Sequence, residues 1–133
     1  SLDLTTELLA QEGLKAHYEA ELLDRHAVEA ELVRMEAELE AARLLILKAA
    51  WMADNGQPNS KEASMSKAKA GRVGTAIALK CVELCGPLGY GHSELLEKWA
   101  RDCKITDIFE GTQQIQQLII ARRVLGKSSS ELH

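Results

Sequence analysis

At 133 residues, with sixteen basic and twenty acidic side chains and a net charge of −4, the chain is sized for one domain and lacks the basic surplus of a nucleic-acid surface. Nine Gly and two Pro are too few for a β-rich or disordered chain, and the weight of Ala, Leu and Glu is that of helices. No apolar run reaches membrane length and no secretory leader is visible. The sequence opens on Ser1-Leu2 rather than Met, which reads as a cleaved end and as part of a longer protein. Cys81, Cys85 and Cys103 have no metal-type spacing, so they read as reduced thiols in a cytoplasmic core.

Apolar residues at Leu4, Leu8, Leu14, Tyr18 and Leu22 predict an amphipathic helix from about Leu4 to Leu23, weakened by Gly13, with a possible break at Asp24-Arg25. The strongest periodicity follows, at Val28, Leu32, Met35, Leu39, Ala42, Ile46, Ala49 and Ala53. Leu44, Leu45, Leu47 and Trp51 widen that stripe, which predicts burial on more than one side. Asn55-Gly56-Gln57-Pro58 stops this helix, since Gly suits a left-handed cap and Pro cannot continue the ladder. Asn59 or Ser60 with Glu62 opens a third helix in capping-box style, carrying Ala63, Ala70, Val73, Ile77, Cys81 and Leu84. Gly71 and Gly74 inside it point to close helix contact or a kink. Cys85-Gly86-Pro87-Leu88-Gly89-Tyr90-Gly91 reads as a full breaker. A short helix from about Ser93 to Ala100 leads through Arg101-Asp102 to a loop at Glu110. Thr112 is a good N-cap for a last helix bearing Ile115, Leu118, Ile119 and Leu125; it ends at Gly126, before a polar tail expected to fray. No internal repeat is evident. The fold class expected is all-α, an antiparallel four-helix-type up-and-down bundle with a short extra helix.

The residue that chemistry singles out is Glu110. A carboxylate just ahead of a helix start is stabilised by the macrodipole by about 0.3–1 kcal/mol without any catalytic role. On residue chemistry alone that structural reading is the stronger one. Against it, Ile108 and Phe109 would set an apolar wall beside the carboxylate, where desolvation raises a carboxyl pKa and sharpens a base. Gly111 and Thr112 would offer a small backbone and a hydroxyl to a ligand.

Four ordered motifs then carry a resemblance: Gly86-Pro87-Leu88-Gly89-Tyr90, Arg101-Asp102-Cys103-Lys104-Ile105, Phe109-Glu110-Gly111-Thr112-Gln113-Gln114-Ile115-Gln116 and Ile120-Ala121-Arg122. With Glu40-Ala41-Ala42-Arg43-Leu44-Leu45 and Lys61-Glu62-Ala63-Ser64-Met65-Ser66-Lys67 upstream, they resemble the C-terminal helical domain of the acyl-CoA dehydrogenases. The likeness divides the chain into a weakly matching leading helix at 1–25, a family-like bundle at 26–126 and a polar tail at 127–133. It implies a flavoenzyme in which FAD accepts a hydride from the β-carbon of an acyl-CoA while a Glu removes the α-proton, leaving a trans-2-enoyl-CoA. Glu110 matches that base, Gly111 the backbone against the substrate, and Thr112, Gln114 and Gly86 positions at FAD. Arg101 and Asp102 match a pair that anchors the loop. The resemblance further implies an electron-transferring flavoprotein as acceptor, and dimers or tetramers through this domain, with no role for nucleic acid or membrane.

The chain also departs from the family pattern. Glu83 stands where the family has a Gln that reaches the FAD of a neighbouring subunit, and Pro87 replaces the second Gly of its pair. The family's Arg-x-x-Phe-Gly is absent from His17 to Arg25. The N-terminal helical domain and middle β-domain, which supply much of the flavin and acyl-CoA pocket, are not in this sequence, so the chain alone is expected to be inactive. His17, His26, His92 and His133 lack metal-ligand spacing, and no metal is expected. Trp51 and Trp99 read as core or interface, and Glu29, Glu31, Glu36, Glu38 and Glu40 as a solvated face. Ser64 and Ser66 lack the surroundings of a nucleophile. Two other readings stand beside the dehydrogenase: a non-catalytic helical interaction module, and an acyl-CoA oxidase that passes electrons to oxygen. The acyl group's length and shape cannot be read here.

Overall fold

The computed structural model describes residues 1–14, 19, 21–24 and 26–131. Among them five helices and no strand are found: α1 (Leu2–Gln11), α2 (Ala27–Asp54), α3 (Ser60–Tyr90), α4 (Leu96–Ile105) and α5 (Gln113–Leu125), with short 3₁₀ turns at Leu22–Asp24 and Ser129–Glu131. The expected all-α class is found. α3 is the spine: α1, α2, α4 and α5 all pack against it, and α1 also touches α2. The core lies where these meet, around Met35, Ile77, Ala78, Cys81 and Leu96, with Leu8 and Leu9 closing it from α1 and Trp99 packed at its edge. No described helix is long and apolar enough to cross a membrane.

Three helices stop by the same device. At the end of α1, Leu14 N–H donates to Leu9 O at 2.9 Å and Gly13 N–H to Ala10 O at 3.1 Å. Gly13 takes φ +88, which a side chain resists. The first helix therefore ends at Gln11, well short of Leu23: Gly13 is its stop and not a weak point inside it. The part of that predicted helix at Tyr18 lies outside the described residues, as do His17, Arg25 and His133. Gly56 (φ +65) ends α2 the same way, with Gln57 N–H on Met52 O at 2.8 Å. Gly126 (φ +66) ends α5, with Lys127 N–H on Arg122 O at 3.0 Å.

Helix starts differ more from expectation. The capping box sits at α2, where His26 Nδ1 accepts from Val28 N–H and Glu29 Oε2 accepts from His26 N–H at 3.2 Å. Glu29 is thereby buried, unlike the solvated face expected of it. At α3 the Asn59 side chain does not cap the first turn. Asn59 instead donates to Ala49 O at 2.9 Å, tying the α2–α3 corner together. The Gly86–Gly91 segment is a kink rather than a breaker: inside α3 only Gly86 leaves helical geometry, at φ 51 and ψ −127, and the helix runs on to Tyr90 before Gly91 turns extended. Pro87 then sits just after the kink, where the ladder is already interrupted and its missing N–H costs nothing. Gly89 lets the last turn lie on α3 itself, since a Cβ there would fall 2.3 Å from Val82 O. The short helix expected at Ser93–Ala100 starts and ends later, as α4, so Arg101 and Asp102 are helical. In the tail, Ser128 N–H and Oγ donate to Glu131 in a 3₁₀ turn where fraying was expected.

Two apolar faces point outward. On α2, Leu44, Ile46, Leu47 and Trp51 are exposed, Trp51 to 57%, so the second half of this helix is not buried on several sides. On α5, Ile115, Leu118 and Leu125 are likewise exposed. The inward face of α5 carries Gln113 and Gln116 instead, whose amides tie α5 to α3 and to the loop before it. The free thiols Cys81 and Cys85 lie buried on α3, and burial pushes the Cys85 thiol up.

Candidate functional site

The Glu110 loop is built as a staircase of turns off the end of α4. Thr106, Asp107 and Ile108 N–H groups donate to Cys103, Lys104 and Ile105 carbonyls, and Phe109 N–H joins Ile105 O at 3.0 Å. Two positive-φ residues then reverse the chain, Glu110 at φ 56 and Gly111 at φ 98. A glutamate in this region is uncommon and strained, by about 1–3 kcal/mol, and such outliers concentrate where function needs a fixed geometry. Thr112 follows as the N-cap of α5, its Oγ1 accepting from Ile115 N–H at 3.5 Å. The predicted cap is thus in place.

What holds the strained turn is visible atom by atom. Gln116, buried on α5, donates from Nε2 to Glu110 O at 3.0 Å. Gly111 is required beneath that amide, since a Cβ would stand 2.6 Å from Gln116 Nε2. Gln113 donates from Nε2 to Ala68 O on α3 at 2.7 Å and also to Asp107 Oδ1. Asp107 in turn accepts from Lys104 Nζ at 2.9 Å. The Lys104 and Gln113 hydrogen bonds hold the Asp107 carboxyl below its ordinary range. Gly71 lets the loop seat on α3, with Thr106 O 2.9 Å and the Asp107 Cα 3.3 Å from where its Cβ would be. Here the close contact expected at Gly71 is met. Gly74 has open space instead, with nothing within 4 Å of such a Cβ.

The Glu110 side chain points into the open. It is exposed and its carboxylate has no hydrogen bond or ion pair among the described residues. Ile108 and Phe109 flank it but are themselves half-exposed, at 51% and 49%. The desolvating wall expected from the sequence is therefore only one side of a pocket, and this chain does not close it. Gln114 is exposed at the first turn of α5, beside half-buried Thr112. Gly86 lies apart, at the α3 kink, with nothing within 4 Å of where a Cβ would stand. Glu83, near Gly86, is paired with Lys80 at 2.7 Å, so its charge is offset. Arg101 pairs with Glu97 at 2.9 Å and Asp102 with Lys98, both within α4; neither bonds to the loop. Lys67 and Gln113, which sequence reasoning left without a role, underlie the loop. Gln116 stood in the quoted motif, and its place six residues past Glu110 on the inward face of α5 was the signal that could have marked it.

The arrangement is an exposed carboxylate on a held turn, with apolar neighbours open to one side. Residues 5–125 match the family model for the acyl-CoA dehydrogenase C-terminal domain. The chain belongs to that family. It is 38% identical over 111 residues to the mitochondrial short-chain specific acyl-CoA dehydrogenase of Bos taurus, covering 84% of this chain and 27% of the relative. It is also 38% identical over 106 residues to subunit CarC of the caffeyl-CoA reductase-Etf complex of Acetobacterium woodii, covering 80% of this chain and 28% of that protein. Butyryl-CoA dehydrogenase from Megasphaera elsdenii superposes with a TM-score of 0.75 at 27% identity, over 93% of this chain and 33% of that one. The chain spans between a quarter and a third of the length of these relatives.

Proposed function

We infer that this chain is the C-terminal part of a flavin-dependent acyl-CoA dehydrogenase, with Glu110 as the general base. The observation that carries the reading is the strained backbone at Glu110, held by Gln116, which spends stability to aim a carboxylate without a partner among the described residues. In this reading a Glu110 carboxylate oxygen takes the α-proton of an acyl-CoA thioester. Other domains close over Ile108 and Phe109, and water exclusion then makes the carboxylate a stronger base. Gly111 presents small backbone to the acyl group. An interaction with the thioester carbonyl that strengthens as enolate charge develops completes the chemistry.

The residues present fit FAD. Thr112 and Gln114 offer a hydroxyl and an amide at the open N-terminal turn of α5, and Gly86 offers unobstructed backbone. Glu83, where the family has a Gln, is paired with Lys80. FAD, when bound, accepts the hydride from the β-carbon, and the product is a trans-2-enoyl-CoA. An electron-transferring flavoprotein is the proposed acceptor and a homodimer or homotetramer the proposed assembly, supported by the uncovered apolar faces of α2 and α5. A cytoplasmic setting belongs to the same reading. Those faces also favour a second reading, a non-catalytic helical interaction module.

The visible spectrum of the intact protein separates them. Oxidised flavin that bleaches under anaerobic acyl-CoA is the expected result, and a colourless protein indifferent to acyl-CoA would leave only the module. Rapid oxygen consumption by the same sample would make it an oxidase.

A further inference from the structure

Beneath the Glu110 loop lies a charged group that the proposed chemistry does not use. The Lys67 ammonium, on α3, is shut away from solvent and has no hydrogen-bond acceptor among the described residues. Buried polar atoms are nearly always paired, so an exception calls for a reason. A lysine kept only for its stem would carry its head out to water. Here the head lies over the ring of Phe109, 6.0 Å from the centroid, the outer range of attraction between a cation and an aromatic face. Lys67 also adds, after Lys104 and Gln113, to the field that holds the Asp107 carboxyl down. The ammonium thus acts on residues on the approach to Glu110, while Gln116 grips the Glu110 carbonyl.

We propose that Lys67 is a positioning residue for Glu110: its ammonium, held against Phe109 and near Asp107, fastens the loop to α3 and fixes the direction in which the carboxylate leaves it. The inference rests on Glu110 being the base. Without the charge, Phe109 keeps apolar contact but loses its directional anchor. The turn that follows, already strained at φ 56, is then free to relax.

Three variants of the intact flavoprotein test this. K67M keeps the stem and drops the charge, K67R keeps the charge, and F109L keeps apolar bulk but drops the π face. The readouts are the rate of flavin reduction at saturating acyl-CoA, KM, and amide hydrogen exchange across residues 108–112. K67M and F109L are expected to slow reduction about 10- to 100-fold, the scale of a misplacement near one ångström, with KM far less affected. Exchange in the loop should quicken in both, and K67R should recover most of the rate. Wild-type reduction and exchange in K67M would overturn the proposal. If K67M does not fold, F109L decides: wild-type reduction and exchange there overturn it equally. Near-normal reduction in E110Q would instead sink the base assignment, while loop exchange in K67M, read without turnover, still judges the Lys67 anchor.

Discussion

Replacing Gly111 with Ala tests the bracing of the turn. Its φ of 98 is strained for any L side chain, at about 1–2 kcal/mol. The new Cβ would also meet Gln116 Nε2 at 2.6 Å. That amide cannot retreat and keep its 3.0 Å bond to Glu110 O. Leaving the buried amide unpaired costs about 1–3 kcal/mol more. The two effects sum to about 3 kcal/mol, which corresponds to roughly 10 °C in Tm for a chain of this size. Gly56→Ala is the control: it has a similar positive φ, 65, but nothing within 4 Å of its Cβ. It should lose only the backbone part, about 1–2 kcal/mol. Urea denaturation followed by circular dichroism measures both. A Gly111→Ala loss no larger than the Gly56→Ala loss would refute the claim that Gln116 clamps this turn.

Further outcomes follow from the loop's seat and from the outer faces. Gly74→Ala should stabilise α3 by about 0.5–1 kcal/mol through helix propensity alone, whereas Gly71→Ala, blocked by Thr106 O, should be net destabilising; equal effects in denaturation would contradict the close approach. Because Asp107 has its folded pKa depressed, its contribution is full above the ordinary carboxyl value and is lost as pH falls through the lower folded value. Acid unfolding below about pH 4 should therefore lose part of its slope in D107N, and an unchanged slope would count against the Lys104–Asp107–Gln113 arrangement. L118E, on the exposed face of α5, should shift the intact protein toward smaller species in light scattering with its helix content intact. An unaltered mass would remove that face from the proposed assembly.

Much of the fold was legible because its punctuation is local. Gly56 and Gly126 were read as stops and Thr112 as a cap, since each acts through its own backbone or hydroxyl. Gly13 was read too weakly, for its stop depends on paired N–H bonds that composition does not show. The outer face of α2 was misjudged for another reason. Periodicity marks an apolar stripe but not whether the covering partner is within the chain, so Leu44 and Leu47 were expected to be buried and stand exposed. Within the candidate site, Glu110, Gly111 and Thr112 were singled out through chemistry and motif wording. Gln113 and Lys67 escaped because they hold a carbonyl and a ring distant in sequence, and Gln116 because its amide acts on a carbonyl rather than on a substrate. The expected desolvation of Glu110 failed for this chain because adjacency to Ile108 and Phe109 supplies a wall on one side only.

One carboxylate taking one proton is the claim on which the functional account stands. Its most direct test is the anaerobic rate of flavin bleaching by acyl-CoA in the intact protein and in Glu110→Gln, compared at equal flavin content. The account predicts that the variant keeps its flavin and loses at least about 10²-fold in rate, the least expected when a positioned base is removed. Bleaching by the variant at the parent rate would show that the proton leaves by another route.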